Sequence, residues 1–195
     1  MQIKNLFGNK PTIPDVKVKN AEKVIRGGLE YFCGKDYHWP QYYDKVAKWL
    51  ENNHNTGLLL LGECGTGKTL LARCILVPVI VHSWLKREQS WNRRPWIYSF
   101  DAYTLSSAVE RPGCKLIDDI GIEEFGNNYG RENNLFSQIV YNAERDGELL
   151  ICTSNLTPDE LKNKYGLRTW DRMKSIMYPI IFTGKSLRRQ ANGCE

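Results

Sequence analysis

The chain has 195 residues, 42% of them hydrophobic and 25% charged, and 27 Lys+Arg against 22 Asp+Glu give a formal net charge of +5. Those fractions fit one globular domain, and an aromatic share of 11% argues against a disordered chain. No apolar run reaches the roughly 18 residues of a membrane helix, and the start MQIKNLFGNKPTIPDVK lacks the apolar core of a signal peptide; the expectation is a cytoplasmic protein without a membrane partner, not a secreted scaffold or a multi-domain machine.

Cys33, Cys64, Cys74, Cys114, Cys152 and Cys194 are widely spaced and form no CxxC pair, so they read as reduced structural thiols rather than zinc ligands. Residues 1–40 read as an extended N-terminal arm. Pro11, Pro14, Gly27, Gly28 and Gly34 punctuate it, apolar periodicity is poor, and a patch of Tyr31, Phe32, Tyr37 and Trp39 closes it. After Pro40, the segment QYYDKVAKWLENN carries Tyr42, Tyr43, Val46, Trp49 and Leu50 at helical spacing. GLLLLG then reads as a buried parallel strand. TLLARCILV is a helix that Pro78 should end or kink near Val77. The segment from Val79 to Pro95 is ambiguous.

WIYSF (96–100) is the second expected strand, followed by a short helical stretch over 103–109 and a turn at Arg111-Pro112-Gly113. CKLIDDIG is the third strand. Residues 132–145 form a helix with Leu135, Phe136, Ile139 and Val140 on one face, and ELLICTSN is the fourth strand. Thr157-Pro158-Asp159-Glu160 combines a cap, a proline at the first helical position and a Glu at the third, so it starts a helix. A further helix covers roughly 168–174, and YPIIF is the fifth strand. Strands alternating with helices imply an α/β fold, a parallel sheet with helices on both faces.

Gly62-Glu63-Cys64-Gly65-Thr66-Gly67-Lys68-Thr69 fits GxxxxGK[ST], with a strand before it and a helix after. Its glycines allow a tight loop whose N–H groups face phosphate oxygens, at the positive end of the following helix. The candidate nucleotide-binding set is Gly62, Glu63, Cys64, Gly65, Thr66, Gly67, Lys68, Thr69 and Leu70. Lys68 reaches the β- and γ-phosphates, and Thr69 offers a hydroxyl to Mg²⁺. Asp118 and Asp119 end a buried strand about 50 residues on. Paired carboxylates there are costly without a cation. Asp118 is the second Mg²⁺ ligand and Asp119 a general base for the attacking water. Asn155, at the end of the fourth strand, lies where a γ-phosphate and its water would sit; as a helix-capping loop residue it has an equally good structural explanation.

Together GECGTGKT, KLIDDIG, ICTSNLTPDEL, KYGLRTWDRM and IIFTGKSLR resemble the AAA+ ATPases of the DnaC/IstB group, helicase loaders and transposase helpers of bacteria and phages, from about Tyr42 to Arg189. The resemblance implies a P-loop NTPase (AAA+/ASCE) three-layer sandwich with a five-stranded parallel sheet and no C-terminal lid domain, its core spanning 41–195. It implies sensor 1 at Asn155, an arginine finger at Arg168 or Arg172, and sensor 2 at Arg188. An arginine finger acts on the neighbour's ATP, so a nucleotide-dependent homo-oligomer follows. Surface pairing with nearby acids is the structural alternative for Arg168 and Arg172, and a basic tail residue is the alternative for Arg188.

Two departures from the group stand out, with one further difference from AAA+ proteins at large. Only the short arm precedes the core. The segment DAYTLSSAVERPG leaves little room for the helical insertion that grips single-stranded DNA in related initiators. Asp119 stands where many AAA+ proteins carry Glu. The stretch 83–96 interleaves basic residues with Trp, as single-strand DNA binders do, but a solvated connection whose Trp side chains cover the core edge explains it better. The expected function is a Mg-ATP-dependent ATPase in DNA replication or mobile-element transactions. Its expected partner is a replicative helicase or a transposase, with single-stranded DNA as a further candidate. A nucleotide-dependent binding adaptor with negligible hydrolysis is the alternative.

Overall fold

A computed structural model of the chain describes residues 11–35, 37–87, 96–123, 132–184 and 186–187. Within them, β1 (Gly57–Gly62), β2 (Tyr98–Asp101), β3 (Lys115–Asp118), β4 (Leu150–Ser154) and β5 (Met177–Phe182) form one sheet in the order β2-β3-β4-β1-β5. Every neighbouring pair is parallel. Leu58 to Leu61 are all buried because β1 lies between β4 and β5 and helices cover the sheet. Pro179, which has no N–H for a ladder, sits on edge strand β5.

The helices gather in two groups. On one side lie α1 (Ala21–Cys33), α2 (Tyr42–Glu51) and the helix that follows β1. On the other, α4 (Leu105–Glu110) packs on α5 (Glu132–Asp146), and α5 packs on α6 (Pro158–Ile176). The result is the expected three-layer α/β sandwich. Among the described residues no helix is long and apolar enough to cross a membrane.

The helix after β1 begins as a π-helix over Leu70–Leu76 and continues as α3 (Val77–Arg87). The Val77 N–H donates to the Ala72 carbonyl, five residues back. Pro78 therefore does not end the helix. A proline ring crowds the carbonyl four residues earlier, and the widened turn gives that carbonyl room. Trp84 on α3 is buried and its Nε1 donates to the Asp15 carbonyl at 2.9 Å, so this tryptophan covers the core edge, whereas Trp96 is 59% exposed. Trp91, Arg93 and Arg94 lie outside the described residues.

Residues 21–33 depart from the extended arm expected there: they form α1, and Ala21, Ile25 and Leu29 are buried in the core. Gly27 and Gly28 look like breakers in the sequence. Structurally, Gly28 permits a close approach, because a Cβ on it would come within 3.0 Å of the Ile75 side chain. Helix packing thus overrides the low propensity of glycine. Asn53 is fully buried and holds the irregular segment that leads into α1. Its Oδ1 accepts from Val16 N at 2.9 Å, and its Nδ2 donates to the carbonyls of Pro14 and Thr56.

Thr157 and Glu160 form the expected reciprocal cap of α6, Thr157 Oγ1 accepting from Glu160 N. The two helices expected over 158–174 are present as the two halves of α6, separated at Gly166, whose φ of 80° and ψ of 162° interrupt the helical backbone.

Candidate functional site

Three strand ends converge. The loop after β1, the end of β3 and the end of β4 meet at the carboxyl edge of the sheet, where an open parallel α/β fold places its ligands. Gly65 and Gly67 take positive φ (83° and 89°), which lets the loop curl back over the start of the next helix. Lys68 is 4% exposed. Its Nζ donates to the Gly62 and Glu63 carbonyls at 2.7 and 2.9 Å and to Asn155 Oδ1 at 2.9 Å. The ammonium therefore ties the loop to β4 from the other side of the cleft.

A second set of bonds centres on Asp118. Its Oδ1 accepts from Thr69 Oγ1 at 3.1 Å and from Thr153 Oγ1 at 2.6 Å, and its Oδ2 lies 3.7 Å from the Arg73 guanidinium. Thr153 Oγ1 in turn accepts from Asp119 N at 2.8 Å. Asp119 has left-handed backbone, φ 55°, and its Oδ1 accepts from Asn155 Nδ2 at 3.4 Å. Such a conformation costs about 1–3 kcal/mol in a non-glycine residue and persists where surrounding contacts fix it. Here the Asp119 and Ile120 amides both bond to Thr153.

A cavity of about 440 Å³ opens beside this network. From the loop it takes Cys64, Gly65, Gly67, Lys68, Thr69 and Leu70, and from the other strand ends Asp119 and Asn155. Its far wall is N-terminal: Leu29 and Cys33 of α1, then Tyr37, His38 and Tyr43. Burial raises the Tyr43 hydroxyl above its ordinary value, so it stays a neutral phenol facing the loop. Leu187 closes the rim, its N–H donating to the Gly65 carbonyl at 2.8 Å. A Cβ on Gly65 would collide with Ser186 Oγ at 2.1 Å.

The structure thus brings together Gly62, Glu63, Cys64, Gly65, Thr66, Gly67, Lys68, Thr69, Leu70, Asp118, Asp119 and Asn155. It does not bring Arg168 or Arg172 to them: both lie on α6 and neither lines the cavity. Arg168 is exposed. Arg172 Nε is 3.2 Å from Glu144 Oε2, and its guanidinium lies over the Tyr141 ring at 4.8 Å. Arg188 lies outside the described residues. Sequence reasoning missed the N-terminal wall, the supporting hydroxyl of Thr153 and the contacts of Ser186 and Leu187. The aromatic patch around Tyr37 was the available signal for the wall.

A carboxylate and a hydroxyl 3.1 Å apart form a hard-oxygen pair of the kind Mg²⁺ favours, so Thr69 and Asp118 fit the expected ion. Among the described residues no cluster of His, Cys, Asp and Glu offers another metal site.

No protein-family model matches the sequence, and no curated protein matches it. Solved structures do. The crystal structure of the DnaC helicase loader superposes with a TM-score of 0.57 at 16% identity, over 85% of this chain and 100% of that one. The crystal structure of DnaI gives a TM-score of 0.53 at 19% identity, over 83% of this chain and 94% of that one. Likeness at such identities concerns the fold alone: the chain shares the fold of these two solved structures, here a three-layer α/β sandwich on a five-stranded parallel sheet.

Proposed function

We propose that the protein is an AAA+ ATPase that binds Mg-ATP in the cavity beside the Gly62–Thr69 loop and acts in DNA replication or mobile-element DNA transactions, in the manner of a helicase loader or transposase helper. One observation carries the reading. Lys68 bonds to Asn155 and Thr69 to Asp118, so groups from three strand ends are tied together beside a nucleotide-sized cavity.

Each residue has a task in phosphoryl transfer to water. The loop N–H groups and Lys68 bind the phosphate oxygens and place the γ-phosphate at the strand ends. Thr69 and Asp118 would hold Mg²⁺, which when bound neutralises charge on the phosphates. Asn155 and Asp119 hold the attacking water, and Asp119 takes its proton. Arg168 or Arg172 serves the ATP of the next subunit, which makes a nucleotide-dependent homo-oligomer part of the proposal. Turnover is slow until a partner completes the site. That partner is a replicative helicase or a transposase, with single-stranded DNA as a third candidate. The adaptor reading, with binding as the output and negligible hydrolysis, draws on the engagement of Arg172 by Glu144 and Tyr141.

The test is DNA- or partner-stimulated ATPase activity beside nucleotide-dependent partner capture. Turnover that Lys68→Ala abolishes supports the enzyme. Capture that Lys68→Ala abolishes, in a wild type without turnover above background, supports the adaptor instead.

A further inference from the structure

The mechanism above leaves one buried carboxylate unused. Glu123 follows Asp118 and Asp119 by a few residues and is 8% exposed. A carboxyl group in such a place needs hydrogen-bond partners, and the fold supplies them. Its Oε2 accepts from Gly121 N at 2.8 Å, and its Oε1 accepts a short hydrogen bond from the Tyr165 hydroxyl. Lys164 donates to the carbonyls of Gly121 and Glu123 at 2.8 and 2.7 Å. Burial, then the Glu123 carboxylate, pushes the Tyr165 hydroxyl above its ordinary value, so it remains a donor.

These bonds join two distant stretches. On one side is the loop that leaves Asp119, already fixed to β4 by the bonds from Ile120 N to Thr153 O and from Ser154 Oγ to Ile120 O. On the other is the last turn of α6 before its break at Gly166. Beyond that break the helix carries Arg168 and Arg172. Its second half is tied to α5 through Thr169 Oγ1 and Ser137 Oγ at 2.8 Å and through Arg172 and Glu144.

We propose that Glu123, Tyr165 and Lys164 form a latch that locks the loop after Asp119 to the arginine-bearing helix, so that Glu123 and Tyr165 are positioning residues for hydrolysis. The proposal rests on the ATPase reading for its kinetic part only. Gly166 is the hinge at which the arginine half of α6 would swing if the latch opened. None of the three latch residues lines the cavity, so opening the latch leaves nucleotide binding intact and misplaces the groups on either side of the hinge.

The experiment compares Tyr165→Phe, Glu123→Ala, Glu123→Gln and Lys164→Met with the wild type in full-length protein. Tyr165→Phe and Glu123→Ala are expected to lower kcat about tenfold while KM and the nucleotide Kd stay within about twofold, the effect of one lost charge-assisted hydrogen bond. Glu123→Gln keeps an acceptor for Gly121 N and turns its amide N–H to the Tyr165 oxygen, so both bonds survive with the second reversed in direction, and it should stay within about threefold of wild type. Equal loss in kcat and affinity, or a Gln variant as poor as Ala, overturns the positioning role.

Hydrogen exchange without nucleotide is the second readout. Tyr165→Phe and Lys164→Met should each speed exchange about tenfold both at residues 120–123 and at 167–176. Acceleration confined to 120–123 overturns the latch. A wild type without turnover overturns the ATPase reading, and exchange then decides the latch alone.

Discussion

Lys68, Asn155, Asp118, Thr69 and Thr153 hold one another in place within a single chain, whereas Arg168 and Arg172 stand on a helix that reaches none of them. The first set is buried or lines a cavity, and its bonds run between segments 35 to 87 residues apart. The second set is exposed or pairs with its own neighbours at the surface. The difference separates what one subunit can organise alone from what needs another molecule. On the proposed function, phosphate binding would be preorganised within one chain, and the chemistry that lowers the barrier would be left to assembly.

The largest expected effect tests that division. Arg168→Ala combined with Arg172→Ala should cut turnover about 10³-fold, as loss of an arginine finger does. Nucleotide affinity, measured by fluorescence titration, should change by less than about twofold. Mixing this protein with Lys68→Ala, each inactive alone, should restore part of the activity. No rescue in the mixture would sink the shared site and with it the comparison.

Lys68→Ala should weaken ATP binding about 10- to 100-fold, since each charged hydrogen bond contributes about 1.5–3 kcal/mol. Calorimetric titration reads it. Retained affinity would show that the loop amides alone hold the phosphates.

Thr153→Val probes the support beneath the carboxylates. Thr153 is fully buried and its hydroxyl both donates to Asp118 and accepts from the Asp119 amide. Removing it leaves both without that partner, at about 1–3 kcal/mol. Denaturant unfolding should show that loss, and turnover should fall with it. A stable, active Thr153→Val protein would mean that the left-handed turn at Asp119 is held by its other contacts.

The same contrast governs what could be read from the residues. Gly62–Thr69 and Asp118–Asp119 are local patterns in which each side chain acts within a few positions of its own strand, so the sequence exposes them directly. The strand segments are legible for a similar reason: GLLLLG and LLIC are apolar because parallel strands are covered on both faces. The N-terminal wall of the cavity is not legible. It depends on Gly28 meeting Ile75 and on Asn53 gripping Val16, contacts 47 and 37 positions apart that no periodicity encodes. Glycines that look like breakers are there the condition for close packing. Of the two expectations for Pro78, that it ends the helix fails for the mirror reason, because widening a helical turn lets a proline stay inside a helix.

The smallest expected effect concerns the pair that occupies Arg172. Its partners are 43% and 38% exposed at the side chain, so Glu144→Ala should cost less than about 1 kcal/mol of stability, the usual worth of a surface ion pair. Glu144 also accepts a hydrogen bond from Ser175 at 3.1 Å, which lies in the same exposed setting. Tyr141 would still hold the guanidinium from below, worth about 0.5–1 kcal/mol at an exposed site. If assembly must pull Arg172 away from Glu144 to reach a neighbour's phosphate, releasing it in advance should raise turnover, by up to about fivefold for 1 kcal/mol. Added salt should narrow the gap between wild type and variant, because it screens the pair in one and has nothing to screen in the other. Unchanged turnover with unchanged salt dependence would assign the trans role to Arg168, the arginine that α6 already presents to solvent. A fall in turnover would show instead that Glu144 aims the Arg172 guanidinium, and that the arginine half of the site is more preorganised than its surface position implies.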